Sequence, residues 1–74
     1  MGKLPQVSGD EAVRRLKRLG MVEDHSKGGH VILRNPATGK LCDVPLHGSK
    51  DLKKGTLNAI LKQLSVDRDD FANA

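Results

Sequence analysis

The sequence predicts a small α+β sandwich, α-β-β-β-α, with two helices on one face of a three-stranded antiparallel sheet and a short extra C-terminal helix. Three observations predict it. Ala12, Val13, Leu16 and Leu19 recur at helical spacing, and so do Leu57, Ile60, Leu61 and Leu64. Between these stretches lie three short segments, set apart by the turn-rich sequences Ser26-Lys27-Gly28-Gly29 and Pro36-Ala37-Thr38-Gly39. Helices gathered on one face of an antiparallel sheet give a two-layer fold. At 74 residues the chain has material for one domain, residues 1–74, with one small core.

The elements follow in order. Residues 1–7 read as a short arm: Met1, Gly2 and Lys3, then Leu4-Pro5. Ser8 with Glu11 forms a capping box that opens the first helix, at about residues 9–19. Gly20 stops it in left-handed geometry, and Met21 folds back over the last turn. A meander follows in the segments Met21 to His25, His30 to Asn35 and Lys40 to Leu46. Strand alternation puts Val31, Leu33, Cys42 and Val44 toward the helices, leaving His30, Arg34 and Asp43 on the open face or its rim. The second helix is expected at about residues 55–64. A last short helix is capped by Asp67 with Asp70 and stapled by Val66 and Phe71.

Composition narrows the partners. Lys and Arg outnumber Asp and Glu by 13 to 9, a formal charge of +4, which favours polyanions through counterion release. There is no Trp and no Tyr, and Phe71 is the sole Phe, so no aromatic platform for stacked bases can be built. Any nucleic acid would be gripped by backbone and shape. Cys42 stands alone, which rules out an internal disulfide and points to the cytoplasm. No apolar run reaches membrane-spanning length, and the N-terminal residues lack the apolar stretch of a signal peptide.

No cofactor or metal is expected. One Cys with scattered His cannot supply a structural metal site. Asp10, Glu11, Asp67, Asp69 and Asp70 serve helix starts rather than converging as a two-metal nuclease needs. Neither GxxxxGK[ST] nor GxGxxG occurs, and Cys42 sits in an apolar alternation that reads as core. Histidine chemistry remains. In Gly28-Gly29-His30 an imidazole directly follows a glycine turn, at the start of Val31-Ile32-Leu33. Imidazole both takes and gives a proton near neutrality. RNA carries its own nucleophile: a base frees the 2′-hydroxyl to attack phosphorus, cations stabilise the phosphoryl oxygens, and an acid protonates the departing 5′-oxygen. On residue types alone, an incidental strand-end histidine is the plainer reading of His30.

His47 fits a second proton-transfer group, a phosphate contact or, more simply, an exposed loop residue, and His25 reads as surface. Among the cations, Arg14, Arg15, Lys17 and Arg18 lie on the first helix, partly in ordinary pairs such as Asp10–Arg14 and Glu11–Arg15. Lys50, Lys53 and Lys54 lead into the second helix, where they oppose the macrodipole and fit either phosphate binding or a solvated loop. The candidate RNA contacts are Lys27, Gly28, Gly29, Arg34, Lys50, Lys53 and Lys54.

The chain closely resembles the HicA-type toxins of bacterial and archaeal toxin–antitoxin pairs. The resemblance rests on Leu4-Pro5 with Val7-Ser8-Gly9, the basic helix ending Leu19-Gly20, Lys27-Gly28-Gly29-His30-Val31, Val44-Pro45, His47-Gly48 and Leu52-Lys53-Lys54-Gly55-Thr56-Leu57. Ile60-Leu61 and Phe71 also fit, so it spans nearly the whole chain. It implies a fold like the double-stranded-RNA-binding domain, metal-independent and ribosome-independent mRNA cleavage, and inhibition by a HicB-type antitoxin that covers the active site. The family's catalytic histidine carries over to His30. Gly29 stands where the family usually has a small polar residue, and Leu46 where a basic residue usually precedes His47. The expected function is therefore a type II toxin acting as a metal-independent endoribonuclease that cleaves mRNA with a single histidine, His30, with His47 a candidate auxiliary. The alternative is a non-catalytic double-stranded-RNA-binding module of the same fold. A basic DNA-binding protein is the weakest reading, because both long helices need their apolar faces for the core; neither direct DNA binding nor membrane association is expected.

Overall fold

The computed structural model describes residues 4–48 and 50–74; Met1, Gly2 and Lys3 of the expected arm, and Ser49, lie outside the described residues. The elements are α1 (Gly9–Arg18), β1 (Val22–Lys27), β2 (His30–Arg34), β3 (Leu41–Pro45), α2 (Lys54–Gln63) and α3 (Arg68–Ala72). Both helical stripes form the expected helices. α1 starts where Ser8 Oγ accepts the Glu11 N–H at 3.2 Å. The other half of the capping box is not made. The Glu11 carboxylate turns instead to Arg14 Nε at 3.2 Å, Arg15 Nε at 3.0 Å and Arg18 Nη2 at 3.6 Å. Guanidinium partners give charge-assisted bonds that outcompete a neutral amide, and they hold the Glu11 carboxyl below its ordinary range, Arg15 foremost. Arg14 thus pairs with Glu11, not with Asp10 as expected.

α1 ends as the sequence indicates. Gly20 takes φ +101°, the Met21 N–H reaches the Leu16 carbonyl at 3.0 Å, and the Met21 side chain is buried. Gly9 matters at the other end. A Cβ there would overlap the Pro45 carbonyl and press on the Leu46 side chain, so only glycine lets α1 begin against the end of β3. The arm residues nearest the helix belong to the fold. Val7 is buried, its carbonyl accepts the Leu52 N–H at 2.8 Å, and Ser8 bridges to Asp51.

The sheet is antiparallel in the order β1-β2-β3. β1 runs two residues beyond the expected His25. Ser26 pairs with Val31 and Lys27 with His30, so the turn shrinks to Gly28-Gly29, with Gly28 at φ +51°. A two-residue hairpin needs only one or two residues free to take positive φ, which releases Ser26 and Lys27 into the strand. Every β1 residue is exposed, and a bulge shifts the register between Glu23 and His25. The 36–39 loop is organised by Asn35. Its Oδ1 accepts the Ala37 N–H at 2.9 Å and its buried Nδ2 donates to the Leu64 carbonyl at 2.7 Å, closing the end of α2.

The core lies between sheet and helices. Ala12, Val13 and Leu16 of α1 meet Val31, Leu33 and Val44 of the sheet and Leu57, Ile60, Leu61 and Leu64 of the α2 region. Cys42 is half-buried against the same cluster. α3 closes the layer. Asp67 accepts the Asp69 and Asp70 N–H groups at 2.7 and 3.4 Å, with Val66 half-buried before it and Phe71 fully buried after it. Arg15 Nη1 donates to the Phe71 and Ala72 carbonyls at 3.2 and 3.1 Å, and its guanidinium lies 5.6 Å from the Phe71 ring centre, tying α3 to α1. This is the α-β-β-β-α layering of the double-stranded-RNA-binding domain with one helix added. Among the described residues, no helix is long and apolar enough to cross a membrane.

Candidate active site

The open face of the sheet is set by register. His30 pairs with Pro45, Ile32 with Asp43 and Arg34 with Leu41, while Val31, Leu33, Cys42 and Val44 point to the helices. The expected division of faces therefore holds. His30 is not packed inward: its side chain is 47% exposed. Its Nδ1 lies 2.5 Å from Asp43 Oδ1, a contact made diagonally across the β2–β3 ladder. Lys27 is its direct partner on β1.

His47 also arrives here. The strand pairing continues past Pro45, with the Leu46 N–H donating to the Gly29 carbonyl at 2.6 Å. His47 follows immediately, and its ring stands edge-on to that of His30, centroids 6.5 Å apart. His47 is an exposed loop residue, as its plainer reading expects, and its ring shares this rim with that of His30. A Cβ at Gly29 would meet the Leu46 carbonyl at 3.4 Å, an ordinary contact, so a small side chain fits.

From His47 a cleft of about 420 Å³ runs to the start of α2, with Lys50, Lys53 and Thr56 along it. A second cleft of about 410 Å³ carries Lys54 beside Leu4, Pro5 and Gln6, and Lys53 lines both. Lys53 is the N-cap of α2 yet provides no side-chain cap, and the first turn holds no acid. Free amides and ammonium groups thus share one end of the helix, an anion-attracting combination.

Other candidates fall elsewhere. Arg34 shares the open face but stands four residues along β2 from His30, about 13 Å at strand rise, and its Nε lies 3.9 Å from Asp24 Oδ1. His25 pairs through Nδ1 with its neighbour Asp24 at 2.7 Å. The α1 cations are engaged in structure: Arg14, Arg15 and Arg18 at Glu11, and Lys17 at Glu23, 3.0 Å away. Burial pushes the Cys42 thiol up, and the Asp43 charge adds to it, which suits a packing residue better than a nucleophile. Among the described residues, no three His, Cys, Asp or Glu side chains gather as a metal site. Sequence reading placed Asp43 on this face without a partner. The available signal was its position opposite Ile32, two residues along the face from His30, once the β2–β3 register is known.

Fold and face together define a small sandwich of the double-stranded-RNA-binding type with two imidazoles at its sheet rim and lysines at the start of α2. Residues 9–66 match the family model described as HicA toxin of bacterial toxin-antitoxin. The chain belongs to that family and is a toxin of a toxin–antitoxin pair. A search of curated proteins found no match.

Proposed function

We propose that this toxin is an endoribonuclease that cleaves mRNA by proton transfer at His30. The observation that carries the reading is the exposed His30 ring, bound at Nδ1 by Asp43 and standing beside a second imidazole. In this reading one imidazole removes the 2′-hydroxyl proton, and the 2′-oxygen attacks the adjacent phosphorus. The bond to the 5′-oxygen breaks, and that oxygen takes a proton from an imidazolium. The products are a 2′,3′-cyclic phosphate and a 5′-hydroxyl. In this reading His47, its ring centroid 6.5 Å from that of His30, shares the two proton transfers with it. Lys27, beside His30 in the ladder, stabilises charge on the phosphoryl oxygens. Lys50, Lys53 and Lys54 hold flanking phosphates at the start of α2, the exposed Gly28-Gly29 turn admits the backbone, and Arg34 extends the grip along the sheet. The only Phe is fully buried, so recognition runs through phosphate and ribose rather than stacked bases. No metal takes part. The antitoxin partner, of the HicB type, blocks cleavage by covering the His30 face.

A non-catalytic RNA-binding module would use the same lysines; the His30–Asp43 contact favours the nuclease. The test is incubation of the chain with an RNA oligonucleotide, EDTA and a matched strand carrying 2′-deoxyribose. Cleavage of the RNA undiminished by EDTA, with the deoxy strand intact, is expected. Loss of cleavage on chelation, or cutting of the deoxy strand, contradicts the reading.

A further inference from the structure

We propose that Asp43 is a positioning residue for His30: its carboxylate fixes the neutral ring with hydrogen on Nδ1, so that Nε2 presents its lone pair to the substrate. The functional meaning rests on the nuclease reading above; the geometry stands apart from it. An ionised carboxylate only accepts hydrogen bonds. At 2.5 Å from Asp43 Oδ1, Nδ1 must therefore be the donor. A neutral imidazole with hydrogen on one nitrogen has its acceptor on the other. The ring is thereby set as a base before substrate arrives, and the same carboxylate stabilises the imidazolium that forms when the proton is taken.

Among the described residues, the Asp43 side chain makes no other hydrogen bond or ion pair. Its side chain is 54% exposed on the open face, where an ion pair adds little to stability. It also places a negative charge on the face where a polyanion must approach, next to His30, whose β1 partner is Lys27. An acid there works against binding and is explained by what it does to His30. The two strands hold the pair: Asp43 opposes Ile32 and His30 opposes Pro45, so the side chains are diagonal neighbours on adjacent strands. The other imidazole–carboxylate contact, His25 with Asp24, differs in kind. Its members are adjacent in sequence, and Asp24 also faces Arg34 at 3.9 Å.

The experiment is long-range proton–nitrogen NMR on the full chain with 15N-labelled histidine, at a pH where the rings are neutral, alongside RNA-cleavage kinetics. The wild type is expected to show His30 with hydrogen on Nδ1. Asp43→Asn moves the hydrogen toward Nε2, lowers kcat by about 10- to 100-fold, and leaves KM unchanged or lower because a negative charge is gone. Asp43→Glu recovers part of kcat, and Asp24→Asn leaves both the His30 signal and kcat as in the wild type. Because the tautomer is read without substrate, its failure is separate from failure of the nuclease reading. Hydrogen on Nε2 in the wild type overturns the inference even if RNA is cut, and so does wild-type kcat in Asp43→Asn.

Discussion

Replacing His30 with alanine is expected to lower RNA cleavage by about 10²–10⁴-fold, the usual worth of a positioned proton-transfer group. The fold should not notice. His30 is the first residue of β2, its side chain is nearly half exposed, and the core residues of that strand are Val31 and Leu33. RNA affinity should stay within about threefold, since electrostatic binding is spread over several cations. The check is paired: single-turnover cleavage for the chemistry, and a binding titration at fixed salt for the affinity. A fall in kcat with retained binding separates an enzyme from a binding module. Equal loss of both would assign His30 to RNA contact alone, and loss of neither would leave it the incidental strand-end histidine. Growth inhibition on expression should follow cleavage, not binding.

Phe71→Ala is expected to cost about 3–5 kcal/mol of folding free energy. Native stability at this chain length is roughly 4–11 kcal/mol, so the variant sits near the edge of folding. The family match ends at residue 66, before α3, yet Phe71 is fully buried among the α1 and α2 side chains. Truncating the ring opens a cavity there. It also removes the face over which the Arg15 guanidinium lies, although the Arg15 bonds to the Phe71 and Ala72 carbonyls go through backbone. Thermal unfolding followed by far-UV circular dichroism should show Tm lower by roughly 12 °C or more. A shift of only a few degrees would mean that α3 is an appendage, not a wall of the core.

The elements legible in the sequence are those whose signals are local. Ser8 and Gly20 mark α1, Asp67 marks α3, and the Leu57-Ile60-Leu61-Leu64 stripe marks α2, because caps and helical periodicity act within a few residues. The end of β1 was not legible. Ser26 and Lys27 look like turn residues, and an edge strand exposed along its whole length has no alternation to betray it. The fate of Glu11 was hidden too, because a choice between an amide and three guanidiniums depends on where side chains meet. His30 and its face could be read from alternation alone. Its two neighbours could not be read as neighbours. Asp43 reaches His30 through the β2–β3 register, and His47 reaches it because strand pairing runs on to Leu46. Both depend on contacts between residues 13 or more positions apart, which no local pattern encodes.

The most direct measurement is the chemistry of the cut ends. RNA cleaved by the purified chain can be analysed by mass spectrometry of the two fragments. Attack by the neighbouring 2′-oxygen, with imidazole carrying the protons, leaves a 2′,3′-cyclic phosphate on one fragment and a 5′-hydroxyl on the other. Fragments ending in 3′-hydroxyl and 5′-phosphate would show that water, not the ribose, attacked phosphorus, and would contradict the role assigned to His30.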